Sequence, residues 1–266
     1  MLKQSDMSLT LYLARIHAPE APPSLQNLRH LQEQHLKHVP FETLSLHLNQ
    51  PIDLRRDALL DKILKRKRGG FCYELNSAFG WLLQTLGYDV RLIMTQPFKG
   101  DGTLAPPFAH LALKVRLKGQ DYLVDVGFND GSVHPFPLLE GHQENGCTLQ
   151  KEGELWTYHD LQAGKPLYVF TEEEHALEAF QEMCHFYSTS AESGFRKKMF
   201  CGFQVQSGKH YLTDHKWVEG SSENLLDLQS FTAKLREFFG IPLSDAEIQS
   251  LYSACLERAK QTSPAL

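Results

Sequence analysis

The hydrophobic positions of this chain change period after its first third. Up to Gly87 they recur at spacings of three and four, the repeat of an amphipathic helix. Residues 8–18 read as a short helix ended by Pro19. Residues 24–38 read as a second, with Ser24 as N-cap and Leu25, Leu28, Leu31 and Leu36 on its buried side. Val39-Pro40-Phe41-Glu42 breaks the pattern, and residues 56–67 resume it with Leu59, Leu60, Ile63 and Leu64. A fourth helix starts at Cys72, where Leu75, Phe79, Leu82, Leu83 and Leu86 share a face. The first third therefore predicts a helical bundle.

Beyond Gly87 the period is two. Val90, Leu92 and Met94 alternate with Arg91, Ile93 and Thr95. Residues 108–117 and 120–127 predict a hairpin across Lys118-Gly119. Further strands are expected over 147–151, 154–161 and 166–171, so the middle third is mainly β. A helix is expected over 172–187, its start favoured by Glu172, Glu173 and Glu174. Strands over 199–206 and 209–218 predict a second hairpin across Ser207-Gly208. Helices over 228–239 and 244–260 close the chain, the last with Ser244 and Glu247 as a capping box. No internal repeat or low-complexity segment interrupts this order.

Composition narrows the class. The 266 residues are 42% hydrophobic and 11% aromatic, enough for a substantial core. With 27 basic against 32 acidic residues, nothing predicts nucleic-acid binding. The one basic run, Lys65-Arg66-Lys67-Arg68, reads as the solvated end of a helix. The five cysteines are odd in number and widely spaced, with no C-x-x-C, which suggests neither a zinc site nor a disulfide framework. Free thiols, the lack of a signal-like apolar N-terminus and the lack of a bilayer-length apolar run together predict a soluble cytoplasmic protein. No long tail is expected after the last helix.

Candidate chemistry centres on Arg68-Gly69-Gly70-Phe71-Cys72. Cys72 falls in the first turn of its helix, where unpaired N–H groups and the helix dipole favour a thiolate. The central hairpin offers a base and an orienting group. With a two-residue loop, Leu117 faces Gln120, Ala112 opposes Asp125 and His110 opposes Gly127. His110 and Asp125 then become diagonal neighbours on one face, and Leu111, Leu113, Val115, Leu117, Tyr122, Val124 and Val126 form the buried face. In such a set His110 would take the Cys72 proton and Asp125 would fix its tautomer. Taken singly, Cys72 also reads as a buried small residue, His110 as a satisfied strand histidine and Asp125 as a strand terminator.

These segments resemble the arylamine N-acetyltransferases. The resemblance covers nearly the whole chain: Leu11–Ile16, Val39-Pro40-Phe41-Glu42-Thr43-Leu44, Arg68–Cys72, His110-Leu111, Val124–Phe128 and Phe186–Ser190. It implies an α+β fold with a cysteine-protease or transglutaminase-like core. Residues 1–88 would form a helical bundle, 89–198 a β-barrel ending in an interdomain helix, and 199–266 an α/β lid. It implies Cys72, His110 and Asp125 as the triad. Acetyl-CoA would be the donor and no metal would be needed. An arylamine, arylhydrazine or arylhydroxylamine would accept the acetyl group in a ping-pong reaction of xenobiotic metabolism, by a monomer or small homo-oligomer. Phe41 and Phe128 match positions that line the acceptor pocket. The segment holding Gly127, Asn129, Gly131 and Ser132 resembles the family's loop that approaches the coenzyme A pyrophosphate, which implies coenzyme contacts at these four residues. Asn129 replaces the usual glycine; Asn tolerates left-handed backbone, which would let the loop keep its course. Thr43 and Ala191 replace the usual Asn and Pro. Arg68 is expected to pair with Glu42 and brace the cysteine bend; a surface pair there would contribute only ~0–1 kcal/mol. The competing expectations are a transglutaminase-like acyltransferase or cysteine hydrolase, an amide synthase, and a silent coenzyme A-binding module.

Overall fold

The computed structural model describes residues 4–205 and 208–262. The first segment is helical: α1 (Gln4–Arg15), α2 (Leu25–His38), a two-residue strand β1 (Phe41–Glu42), α3 (Leu44–His47), α4 (Arg56–Leu60) and α5 (Cys72–Thr85). Ser24 caps α2 by accepting the Asn27 N–H at 3.1 Å. A π-helical turn, Asp61–Lys65, prolongs α4. Lys67 then takes a left-handed φ of 50°, which turns the chain inward. The basic run is therefore only partly solvated: Lys65 and Arg66 are exposed, but Arg68 is buried.

The middle segment is an eight-stranded antiparallel sheet, nearly closed into a barrel. It comprises β2 (Asp89–Pro97), β3 (His110–Leu117), β4 (Gln120–Val124), β5 (Phe136–Pro137), β6 (Gln143–Glu144), β7 (Cys147–Glu152), β8 (Leu155–Asp160) and β9 (Lys165–His175). The strand order is β5-β4-β3-β2-β9-β8-β7-β6. Phe136 at one edge meets Tyr158 near the other, with ring centroids 5.4 Å apart. The β3–β4 register is the expected one, with Leu117 opposite Gln120 and Leu113 opposite Val124. Both faces of this hairpin are buried, however, where one was expected. Leu111, Leu113, Val115 and Val124 pack outward on Leu75, Phe79, Leu82 and Leu83 of α5. Ala112 and Leu123 face the barrel interior with Tyr158, Tyr168 and Phe170. The expected strand start at Phe108 is wrong, because Phe108 has a left-handed φ of 61°.

The helix expected over 172–187 is corrected at its start. Glu172, Glu173 and Glu174 extend β9, where Glu174 sits opposite Ile93. Trp156 donates to Glu172 (3.0 Å), and Arg91 and Lys114 meet Glu174 at 3.3 and 3.4 Å. These cross-strand partners outweigh the local preference for a helix N-terminus. A 3₁₀ turn at Leu177–Phe180 leads into α6 (Gln181–Thr189), and a short α7 (Gly194–Lys197) follows.

The last segment forms a five-stranded sheet with β10 (Phe200–Val205), β11 (Gly208–Thr213), β12 (Lys216–Glu219) and β13 (Ser222–Leu225), covered by α8 (Leu228–Ala233) and α9 (Asp245–Thr262). The strand expected over 209–218 is broken by Asp214, which takes a left-handed φ of 47°. Val205 lies opposite Gly208, so Gly208 is a strand residue rather than part of the turn; Gln206 and Ser207 lie outside the described residues. The first strand of this sheet is β1, with Phe41 opposite Gly202. Segment one thus supplies an edge to segment three, directly beside the cysteine bend.

Candidate active site

The bend before Cys72 is shaped by close approach. A Cβ on Gly69 would stand 1.8 Å from the Pro40 carbonyl oxygen, and one on Gly70 would stand 2.6 Å from Glu74 Oε2. Only glycine fits either place. Around the bend lies a buried ion network. Arg68 contacts Glu42 at 2.7 Å, Lys62 contacts Glu74 at 2.7 Å, and Lys62 approaches Glu42 at 4.0 Å. Burial alone would raise the Glu42 pKa, but Arg68 and Lys62 hold the carboxyl below its usual range. Glu74 is pushed up by burial, which its bond to Lys62 only partly offsets. Glu74 also accepts the Phe71 N–H at 3.2 Å, fixing the start of α5. The Arg68–Glu42 brace is therefore an interior pair, not a surface one. Cys72 is the first residue of α5 and is buried.

The first turn of α5 also grips the barrel. Tyr73 Oη donates to the carbonyls of Phe108 and Ala109 at 2.7 and 3.0 Å, just ahead of His110. Asn76 Nδ2 donates to the Leu111 carbonyl (2.7 Å) and to Asp125 Oδ1 (2.8 Å). His110 and Asp125 meet directly: Nε2 lies 2.7 Å from Oδ2. Cys72 lies on the same cleft as the imidazole and favours its charged form. Since Nε2 is taken by Asp125, Nδ1 is the nitrogen available to the thiol. Asp125 receives two further donors, the Gly127 N–H on Oδ1 (2.8 Å) and Tyr168 Oη on Oδ2 (3.3 Å). Burial would lower the His110 pKa. The Asp125 carboxylate and the Cys72 sulfur, by charge and by hydrogen bond, outweigh it and raise the value to about 10.

Cys72 and His110 open onto a cleft of about 480 Å³. Phe41 and Phe128 line it, together with Tyr187, Phe195 and Phe200, which sequence reasoning missed. Those three lie far along the chain and carry no local signal; α6, α7 and β10 bring them in. Gly127 and Asn129 also border the cleft. Gly127 is held by sterics, since a Cβ there would stand 2.7 Å from Cys72 Cα. Gly131 and Ser132 do not border it. Gln204 donates to the Gly131 carbonyl. The Ser132 N–H donates to Tyr158 (2.8 Å), and its hydroxyl accepts from the His134 N–H (3.1 Å) and Asn145 (3.2 Å). No residue from 127 to 132 takes left-handed backbone, so Asn129 fits without special tolerance. A larger groove of about 910 Å³ lies beside α6 and contains neither Cys72 nor His110. No cluster among the described residues could hold a metal ion, and no described helix is long and apolar enough to cross a membrane.

A thiol at a helix start, sharing a cleft with an imidazole that a buried carboxylate orients, can act as an acyl-accepting nucleophile. Fold and site together thus define a cysteine–histidine–aspartate class. The family model described as N-acetyltransferase matches residues 24–248. The chain is 29% identical to the arylamine N-acetyltransferase liver isozyme of Gallus gallus, over 80% of this chain and 84% of that protein. It is 28% identical to arylamine N-acetyltransferase 1 of Homo sapiens, covering 77% and 81%. The solved arylamine N-acetyltransferase of Nocardia farcinica superposes with a TM-score of 0.84 at 30% identity, covering 94% of this chain and 95% of that one. The Mycobacterium marinum arylamine N-acetyltransferase in complex with CoA also gives 0.84, at 29% identity and 93% and 98% coverage. This chain belongs to the arylamine N-acetyltransferase family.

Proposed function

We propose that the protein transfers acetyl from acetyl-CoA to the nitrogen of an arylamine, arylhydrazine or arylhydroxylamine through an acetyl-Cys72 intermediate. The observation that carries this reading is the Asp125–His110–Cys72 series at an aromatic-lined cleft. Cys72 sulfur attacks the thioester carbonyl while His110 Nδ1 holds the proton that came from the thiol. The Cys72 N–H, the first of α5, is placed to stabilise the developing oxyanion. The thioester C–S bond breaks, and His110 returns its proton to the departing coenzyme A sulfur. The acceptor nitrogen then attacks acetyl-Cys72, His110 takes a proton from that nitrogen, and the Cys72 sulfur leaves.

The cleft suits such reactants. Five aromatic side chains offer an apolar site for a flat ring, and the ammonium groups of Lys99 and Lys198 at its border suit coenzyme phosphates. Within the loop from Gly127 to Ser132, we assign coenzyme contact to Gly127 and Asn129. Gly131 and Ser132 hold the loop from behind. Three units, 1–88, 89–198 and 199–266, would then present nucleophile, base and cover in a cysteine-protease or transglutaminase-like arrangement. A cytoplasmic monomer or small homo-oligomer acting on xenobiotic amines completes the proposal.

The test is turnover. Acetyl-CoA and a panel of aromatic amines and hydrazines are mixed with enzyme, and N-acetyl product and free coenzyme A are quantified by chromatography. Parallel double-reciprocal lines are expected. Acceptor-independent peptide cleavage would favour a hydrolase, and coenzyme binding without transfer would favour a binding module.

A further inference from the structure

Asn76 lies one helical turn beyond Cys72 and is fully buried. Both of its N–H donors are used. Nδ2 donates to the Leu111 carbonyl at 2.7 Å and to Asp125 Oδ1 at 2.8 Å, and Oδ1 accepts the Val126 N–H at 2.9 Å. No donor remains for a reacting group, so any influence on chemistry passes through these partners.

The identity of the partners is informative. The β3–β4 ladder runs through Leu117–Gln120, Val115–Tyr122 and Leu113–Val124 and then stops. Continued in the same register, Leu111 would face Val126. That pair falls in the alternating series in which opposed residues exchange N–H···O=C bonds, starting from the pair that flanks the two-residue turn. Asn76 takes the Leu111 carbonyl and the Val126 N–H, the two groups that would bond each other in that rung. A side-chain amide thus stands where a peptide-to-peptide rung would be. Its one remaining N–H goes to Asp125. Gly127 leaves room for this insertion, since a Cβ there would stand 2.8 Å from Asn76 Nδ2.

We propose that Asn76 is a positioning residue that holds the hairpin open in place of its Leu111–Val126 rung and thereby aims the Asp125 carboxylate at His110. The proposal rests on the triad reading given above. Without this amide, Oδ1 keeps only the Gly127 N–H, and the hairpin end is free to close by one rung and draw Asp125 away. Helix α5 then carries two parts of one device: the nucleophile, and the wedge that orients the carboxylate behind the base.

The test is direct titration of His110 by ring ¹H–¹⁵N NMR in ¹⁵N-histidine-labelled protein, the signal assigned by its loss in His110→Asn. No acetyl-CoA is needed. The wild-type imidazolium should lose its proton near pH 10. Asn76→Ala should lower that midpoint by at least about one pH unit, a tenfold loss of proton affinity, and slow enzyme acetylation. Asn76→Ser carries the same expectation if the alanine variant does not fold. Leu82→Ala, in the same helix but far from Asp125 in the hydrogen-bond network, should lower the melting temperature without moving the midpoint. Asn76 variants that are destabilised while His110 still titrates near 10 would overturn the proposal. A wild-type His110 that titrates at or below 6.5 would instead overturn the triad reading, and this proposal with it.

Discussion

Replacing Asp125 by Asn keeps the side-chain shape and removes its charge. Oδ1 accepts from Asn76 Nδ2 and the Gly127 N–H, so the amide oxygen of the variant must occupy that place. Its NH₂ then faces His110 Nε2, now 2.7 Å from the carboxylate. Nε2 must become an acceptor, and the imidazole proton moves to Nδ1. That is the nitrogen that should receive the Cys72 proton. The charge effect acts in the same direction. His35, fully buried with no carboxylate beside it, has its pKa lowered to about 3 by burial and by the nearby Arg15 and His38, whereas His110 stands at about 10. Asp125→Asn should therefore leave His110 neutral and in the wrong tautomer at pH 7, with a loss of roughly 10³–10⁴ in acylation rate. The assay is single-turnover acetylation by quenched-flow mass spectrometry across pH. Wild-type rate should fall as pH rises through about 10, when the imidazolium is lost, and the variant should lack that limb. A variant within tenfold of wild type, with the high-pH limb intact, would refute the reasoning.

Folding stability should follow the same group. A histidine whose pKa rises from 6.5 to about 10 on folding contributes stability that is fully present below pH 6.5 and is lost as pH rises through about 10. The full effect is on the order of 4–5 kcal/mol before other groups titrate, and urea unfolding at pH 6.5 and 9.5 should show a loss of about 3–4 kcal/mol of it in wild type but not in Asp125→Asn. Arg68→Met should cost roughly 3–5 kcal/mol, because the buried Glu42 loses its close cation and keeps the Leu44 N–H (2.6 Å) and the more distant Lys62 (4.0 Å); a urea midpoint unchanged from wild type would contradict the interior brace. Gly127→Ala should push a methyl group against Cys72 Cα and Asn76 Nδ2. A cost of about 1–3 kcal/mol in stability and about 10² in acylation rate is expected, read by denaturation and single-turnover kinetics.

The meeting of His110 and Asp125 was legible in the sequence because a two-residue turn leaves little freedom. Lys118 and Gly119 take φ of 50° and 84°, as a two-residue hairpin loop of the left-handed kind requires, and register followed. The Cys72 helix start was legible from periodicity and two glycines. Asn76 was not. A polar residue in a helix interior reads as solvent-facing, and only tertiary structure shows it plugged into a hairpin. Glu172–Glu174 misled for the converse reason: their local preference for a helix start yields to Trp156, Arg91 and Lys114 on other strands. Ser132 shares a segment with cleft residues, yet its hydroxyl and N–H point to partners away from the cleft, an orientation that spacing does not encode.

The central claim is that Cys72 carries the acetyl group. Protein incubated with acetyl-CoA and no acceptor, quenched in acid and weighed intact, should gain one acetyl group, and peptide mapping should place it on Cys72. The label should be absent in Cys72→Ala and should vanish from wild type when an aromatic amine is added before quenching. An unmodified Cys72 in an enzyme that still acetylates the amine at full rate would contradict the account.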